Sequence, residues 1–392
     1  MKCLMIGQVS KEYGAPITTG AAIVAIELAK RSEKDLQISL CATNIPNKGA
    51  LNIKDFLAYG YSKNLFVYFY YLIKHPIRSA RHIWYYKKKM GVNPFRFFFY
   101  EVNFGRAIRH YNPDIIHVHG LTQYMSTFYA SEGKVPIVAT LHGYWHSSEE
   151  EDQLTFATMP FVNNITTLTT MAKEDIIHDF PKEYKHFDIV ANGADTNKFF
   201  FSQSKREEIR RQLGIDDKTT VFITVASIQE RKGQLRFIKF LNESHIQDYR
   251  YLIVGKGDDH YIEEMKHYIE EHLLSEKVSL LGYVNNSDMY SYYSASDVYA
   301  HVSTNEGQSL SEMEAASTGL RVVVNEPLVG TLPDDISDKD STFYVLDYGA
   351  VDYGGFIKWT KEGAEKRHSV NYYSWHKIVE KYYDVYKRII NE

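Results

Sequence analysis

Short apolar runs bounded by turn residues alternate with amphipathic stretches along the whole chain, a pattern that βαβ units and parallel sheets produce. In the first half, strands are predicted at Cys3–Gly7, Leu36–Ala42, Ile115–His119, Ile137–Leu141, Thr166–Leu168 and Ile189–Ala191, and a helix at Gly20–Arg31. The second half repeats the scheme. Strands are expected at Val221–Ala226, Tyr251–Val254, Val278–Leu280, Val298–Ala300 and Val322–Asn325, with helices at Tyr261–His272, Ser287–Ala295 and Ser309–Thr318. Between the halves, Asn192-Gly193-Ala194-Asp195 is a turn-rich breaker. From Tyr373 to Ile390 apolar residues recur at three and four, which predicts a closing amphipathic helix. The absence of a short-period repeat argues against solenoid folds.

At 392 residues the chain is too long for one ordinary α/β core, since single cores stop growing near roughly 250 residues. Two domains are expected: 1–195 together with the final helix 371–392, and 196–370. A formal net charge of −4 argues against a dedicated nucleic-acid binder. That average hides an asymmetry. No Asp or Glu lies between Phe56 and Tyr100, and Lys63, Lys74, Arg78, Arg81, Lys87, Lys88, Lys89 and Arg96 give the stretch a formal +8. Two cysteines, Cys3 and Cys41, make no disulfide scaffold, so a reducing compartment is expected. The N-terminal apolar run is too short for a signal peptide. The longest apolar run, Leu65–Ile73, falls short of the roughly 20 residues of a spanning helix, and the expected location is the cytoplasm.

The densest candidate chemistry lies at Glu306-Gly307-Gln308-Ser309-Leu310-Ser311-Glu312-Met313-Glu314, which follows an apolar strand and leads into Ala315-Ala316-Ser317-Thr318-Gly319. It reads as strand, loop, helix. Ser309 with Glu312 and Ser311 with Glu314 both match the S-x-x-E capping pattern, so either serine can open the helix. A helix N-terminus entered through a glycine offers unpaired N–H groups and the positive end of the macrodipole to a phosphate. Beside such an anion, Glu306 is awkward unless its carboxylate accepts hydrogen bonds from hydroxyls, such as those of a sugar or ribose. The plain alternative is that acids are favoured in the first turns of any helix.

Four motifs, in order, resemble the large group 1, family 4-like family of retaining glycosyltransferases of the GT-B fold. They are Val190-Ala191-Asn192-Gly193-Ala194-Asp195-Thr196-Asn197-Lys198-Phe199, Val225-Ala226-Ser227-Ile228-Gln229-Glu230-Arg231-Lys232-Gly233, Leu252-Ile253-Val254-Gly255-Lys256-Gly257, and EGQSLSEMEAASTG from Glu306 to Gly319, with two Glu eight apart. The resemblance implies an α/β architecture of two facing Rossmann-like domains, the first on the acceptor side and the second binding the donor, with the C-terminal helix crossing back to the first. It also implies that Lys232 binds the donor diphosphate and Glu314 the ribose hydroxyls. Glu306 and the backbone of Gln308, Ser309 and Leu310 would lie near the donor sugar and phosphate, and Tyr283 in Gly282-Tyr283-Val284 would line the base. The chain departs from the family at Ser227, where an Arg is usual; Arg231 is the candidate replacement.

In the first half, Gly14-Ala15-Pro16-Ile17-Thr18-Thr19-Gly20 joins the first strand to its helix, and Gly20 opens that helix towards a phosphate or closes an ordinary tight loop. Tyr13 and His119 are acceptor-side candidates. His142, in Thr140-Leu141-His142-Gly143, matches the family's active-site His. Zinc is disfavoured, because no Cys or acidic cluster completes a four-ligand set and because His117 and His119 are expected to leave their strand in opposite directions.

From Tyr61 to Arg109, Phe, Tyr and Trp84 interleave with Lys and Arg. Such a stretch suits an anionic membrane surface, or consists of helices covering the first sheet with their basic residues solvated. The expected activity is transfer of a hexosyl-type unit from a nucleoside-diphosphate sugar to a hydroxyl of a sugar or lipid-linked glycan. The resemblance adds retention, no required cofactor or metal, and a setting in bacterial-type cell-surface polysaccharide or glycoconjugate synthesis at the cytoplasmic membrane face. A nucleotide-sugar epimerase of the same fold and a nucleotide-binding pseudoenzyme are the rivals, the latter favoured by Ser227.

Overall fold

Apolar runs that alternate side chains to both faces must be covered on both faces, and here they become the central strands of two separate sheets. The structure is a computed structural model that describes all residues except 17, 32–34, 47–49, 54–55, 90, 121–125, 144–157, 180–185, 305, 332–341 and 363–373. The chain divides into two units, Met1–Ala191 with Trp375–Glu392, and Asn192–Ser374.

The first unit contains β1 (Lys2–Gly7), α1 (Gly20–Lys30), β2 (Gln37–Pro46), β3 (Ala50–Ile53), β4 (Phe56–Tyr61), α2 (Leu65–Lys74), α3 (Pro76–Lys88), α4 (Pro94–Tyr111), β5 (Ile115–His119), α5 (Ser126–Ser131), β6 (Ile137–Leu141), β7 (Asn164–Thr167), α6 (Thr170–Asp179) and β8 (Phe187–Ile189). Among the described residues its eight strands lie in the order β3-β4-β2-β1-β5-β6-β7-β8. All pair in parallel except β3 with β4, an edge pair that the apolar pattern did not announce. Leu4 and Ile6 pack with Ile116, Val118, Ile137 and Ala139 under Phe104 of α4.

The second unit contains α7 (Gln203–Gln212), β9 (Thr220–Val225), α8 (Gln234–Glu243), β10 (Tyr249–Val254), α9 (Asp259–Glu271), β11 (Val278–Gly282), α10 (Met289–Ala295), β12 (Val298–His301), α11 (Leu310–Ser317), β13 (Arg321–Asn325), β14 (Phe343–Leu346) and α12 (Tyr353–Glu362). Among the described residues its six strands are all parallel, in the order β11-β10-β9-β12-β13-β14. Along β9, Val221 and Ile223 enter one core with Leu252 and Val254, while Phe222 enters the other with Tyr251 and Ile253.

The last helix, α13 (Trp375–Asn391), belongs to the first unit. It buries Ile378, Val379, Tyr382, Val385, Tyr386 and Ile389, one stripe at helical spacing. Tyr373, where the sequence pattern begins it, lies outside the described residues.

Each sheet has a switch point, where the chain leaves a central strand first to one side and later to the other. In the first unit it falls between β1 and β5, in the second between β9 and β12. Loops leaving the strand ends there diverge and open a crevice, where α/β sheets hold ligands. The segments 226–233 and 302–309 leave that edge in the second unit, and His119 ends β5 in the first.

Candidate active site

After β9 the chain forms a short 3-10 turn, Glu230–Lys232, and exits through Gly233 at φ +73°. A Cβ on Gly233 would lie 2.3 Å from the Val302 carbonyl oxygen just past β12. Only glycine combines that left-handed backbone with so close an approach, so the turn sits hard against the end of β12. The Thr304 N–H donates to the Arg231 carbonyl at 2.8 Å and ties the two loops together.

This seam brings together the charged residues that the motifs had marked separately. Glu306 Oε1 accepts from Lys232 Nζ and, at 3.0 Å, from Arg231 Nη1. Burial alone would raise the Glu306 pKa, but Lys232, and behind it His301 and Arg231, outweigh burial and hold the carboxyl below its usual range. Arg231, one residue before Lys232, is thus a second cation on Glu306. Ser227 contributes its backbone carbonyl, which accepts from Gln234 Nε2 at 3.0 Å.

Of the two capping serines, Ser309 is the N-cap of α11, its Oγ accepting from the Glu312 N–H at 3.4 Å. The N–H groups of Leu310 and Ser311 therefore have no intrahelical acceptor. Glu314 Oε2 accepts from the Tyr293 hydroxyl at 3.2 Å, and burial, reinforced by the Glu314 charge, keeps that phenol protonated. Tyr283 stands exposed past the end of β11 with the Lys256 ammonium 5.7 Å from its ring centroid. The Gln308 side chain turns inward: its Oε1 accepts from the Asn192 N–H at 2.6 Å, and its carbonyl accepts from Asn192 Nδ2 at 3.3 Å. Asn192, the breaker of the sequence pattern, is thereby clasped to the loop that leads into α11.

Sequence reasoning missed one pair. His301 closes β12 with its Nδ1 2.5 Å from Glu312 Oε2, and both side chains are buried. Among the described residues His301 Nε2 and Glu312 Oε1 have no partner. The signal was available, because His301 directly follows the expected strand Val298–Ala300, just as His119 ends the strand Ile115–His119.

In the first unit, His119 and His142 meet, Nδ1 to Nε2 at 2.7 Å, with rings stacked 5.0 Å apart. His117 lies against His119 at 4.4 Å, which corrects the expectation of opposite directions: residues two apart on a strand share a face. His117 is pinned by the Tyr386 hydroxyl at Nδ1 and by Thr140 Oγ1 at Nε2, both at 2.6 Å. Thr140 in turn meets the Tyr382 hydroxyl at 3.0 Å. Burial, with His142 adding to it, lowers the His117 pKa to about 3, and burial lowers that of His142 to about 4. Burial, His117 and His142 together push His119 well below its usual value. All three imidazoles are neutral at pH 7, so between His119 and His142 one N–H donates to the other ring's lone pair.

Gly20 opens α1 beside the N-cap Thr19, and no atom lies within 4 Å of where its Cβ would be. Tyr13 packs against α1, with the Lys30 ammonium 5.7 Å from its ring centroid.

Two doubly wound, largely parallel sheets, one in each unit, place the chain in the GT-B class of α/β proteins. The chain belongs to the group 1, family 4-like glycosyltransferases: residues 18–198 match the model described as Glycosyltransferase Family 4, and residues 205–375 that described as Glycosyl transferases group 1. It is 26% identical over 270 residues to an alpha-monoglucosyldiacylglycerol synthase of Streptococcus pneumoniae, covering 64% of this chain and 59% of the relative. A synthase of the same name from Acholeplasma laidlawii is 26% identical over 264 residues, 60% of this chain and 64% of that protein. The match thus spans less than two thirds of either relative. In Escherichia coli, a UDP-Gal:alpha-D-GlcNAc-diphosphoundecaprenol alpha-1,3-galactosyltransferase is 29% identical over 226 residues, 54% of this chain and 57% of that enzyme. The crystal structure of Anabaena HepE in complex with UDP shares the fold, with a TM-score of 0.74 at 17% identity over 99% of this chain and 100% of the other. Among the described residues no helix is long and apolar enough to cross a membrane.

Proposed function

We propose that the chain transfers a hexosyl-type sugar from a nucleoside-diphosphate sugar to a hydroxyl of a sugar or lipid-linked glycan. It does so with retention, in cell-surface polysaccharide or glycoconjugate synthesis at the cytoplasmic membrane face. The observation that carries this is the meeting of Lys232, Arg231 and Glu306 at the second sheet's switch point, next to the N-terminus of α11. The unit Asn192–Ser374 is then the donor side and the unit Met1–Ala191 with α13 the acceptor side.

As the bond to the sugar breaks, the departing diphosphate gains negative charge. Cations and N–H dipoles aimed at it therefore stabilise the transition state more than the ground state. In this reading the diphosphate takes over the Lys232 ammonium and the free N–H groups of α11, and the Glu306 carboxylate turns to the donor sugar's hydroxyls. Glu314, held by Tyr293, accepts from the ribose, and Tyr283 lies beside the base. Arg231 supplies the positive charge that Ser227 lacks. The leaving phosphate takes the acceptor's proton on the same face of the sugar, so no strong protein base and no cofactor is needed. The neutral His119–His142 pair offers hydrogen bonds to hydroxyls without adding charge.

A thermal-shift screen with UDP, GDP and ADP identifies the base, because a ligand that binds only the folded state raises its stability. With the matching nucleotide sugar, product analysis separates glycosyl transfer from epimerisation and from binding without turnover. Glu314→Ala should weaken nucleotide binding, and Glu306→Ala should mainly lower kcat. Wild-type affinity and rate in both variants would sink the site assignment.

A further inference from the structure

α2, the first of the helices between β4 and β5, inverts the usual arrangement of side chains. On α2 the inward residues are Tyr68 and Tyr71, and both use their hydroxyls: Tyr68 donates to the Ser62 carbonyl at 2.8 Å and accepts from Asn103 Nδ2, while Tyr71 points to Glu101 Oε1 at 3.5 Å. The outward face is apolar. Phe66 is 81% exposed and Ile73 79%, with Phe69 between them and Ile77, at 84%, continuing the stripe onto α3. On α3, Ser79, His82 and Tyr86 face inward, while Ile77 and Trp84 are exposed together with Arg81, Lys87 and Lys88.

A single polar hub holds this pair of helices. Glu101 of α4 is 1% exposed, with His82 Nδ1 at 2.9 Å, the Tyr86 hydroxyl donating at 3.0 Å and Arg78 Nη2 at 3.7 Å. Because α2 and α3 are fastened through polar groups and tyrosine rings, Phe66, Phe69 and Ile73 of α2 and Ile77 at the start of α3 are left outside. A patch of that kind marks an interaction surface. Its chemistry is specified further by charge: the stretch 56–100 has no acidic residue, and Lys63, Lys74, Arg81, Lys87, Lys88 and Lys89 surround the stripe in sequence. Apolar side chains rimmed by cations fit an anionic bilayer and not a neutral one. At 10 and 13 residues the two helices are too short to span it.

The geometry points to α2 and α3 as an in-plane wedge that seats Phe66, Phe69, Ile73 and Ile77 in the boundary between headgroups and acyl chains of an anionic bilayer. This deepens the membrane-face location proposed above and rests on it. The weight moves from the Lys87–Lys89 cluster, which sets lipid preference, to the apolar face of α2, which provides the anchoring area.

The test is flotation of the full chain with vesicles of phosphatidylcholine alone or mixed with phosphatidylglycerol, without donor or acceptor. The wild type should float with the mixed vesicles only. Phe66→Ser/Phe69→Ser/Ile73→Ser/Ile77→Ser removes side chains that are already exposed, so the melting temperature should hold while partitioning falls by roughly 100-fold. Lys87→Ala/Lys88→Ala/Lys89→Ala should cut partitioning by roughly tenfold or more at low salt and less at high salt. Serine-variant binding equal to wild type, or wild-type binding to neither vesicle, overturns the proposal. So does a wild-type dimer that the serine variant converts to monomer, because a second copy would then own the face. Loss of vesicle binding leaves the stabilisation by nucleotide intact, because the residues assigned to it lie in the unit Asn192–Ser374, so this idea and the assigned reaction fail separately.

Discussion

Replacing Gly233 by alanine tests whether the seam between the 3-10 turn and β12 builds the donor site. At φ +73° an alanine costs about 1–2 kcal/mol in backbone conformation. The larger effect is steric. The added Cβ would sit 2.3 Å from the Val302 oxygen, where ordinary contact begins near 3.4 Å, so turn and strand end must part. The gap needed is about 1 Å, and a misplacement of that size costs on the order of 100-fold in rate. Lys232 and Arg231 immediately precede Gly233 and move with it, so both lose their common contact with Glu306 Oε1. The expected outcome is a fall in kcat/KM of about 100-fold, or roughly 2.7 kcal/mol. Gly214→Ala supplies the control: it too has positive φ, +62°, yet nothing lies within 4 Å of its Cβ. It should lose comparable stability and keep its kinetics. Steady-state kinetics and thermal melts on both variants decide the matter, and equal kcat/KM in the two would refute the reasoning.

Two further outcomes concern buried polar groups. His301→Leu leaves Glu312 buried without its partner and should cost about 3–5 kcal/mol in chemical denaturation, whereas His301→Leu/Glu312→Leu replaces the pair by apolar packing and should recover most of it; a double variant no more stable than the single would count against the pair. For His117, the folded pKa of about 3 lies below the unfolded value near 6.5, so the unfolded chain binds more protons between them. Its stabilising effect is fully present above pH 6.5 and is lost towards pH 3, by about 1.4 kcal/mol per pH unit. His117→Gln should flatten that slope in urea titrations run from pH 7 to pH 5, and an unchanged slope would contradict the burial argument.

Where a strand is central, its pattern was legible: Ile115–His119 and Ile137–Leu141 form as read, because uninterrupted burial leaves no other pattern. The edge strand at Val278 was read, but two other edges escaped: Phe343–Leu346 is four residues long with Val345 exposed, and β3, paired with the unread β4, is also only four residues long. Motif resemblance named Lys232 and Glu306 individually, but their contact is tertiary and depends on how closely Gly233 approaches Val302. Glu312 was read as a capping acid, and its buried role with His301 was hidden because local helix chemistry already accounted for it. On α2, periodicity locates the apolar stripe but not the side that faces the protein. Burial of Tyr71 and Tyr68 in place of Phe66 and Ile73 follows from Glu101 and Asn103 of α4, residues more than two dozen positions away.

Because Trp375–Glu392 completes the first unit while Asn192–Ser374 forms the second without interruption, the order of synthesis and the order of completion differ. A nascent chain offers His117 and Thr140 well before the ribosome delivers Tyr386 and Tyr382, the hydroxyls that pin them. Domains usually mature as they emerge, yet here the earlier-made one must wait, its imidazoles unsheathed, until translation has passed through its neighbour.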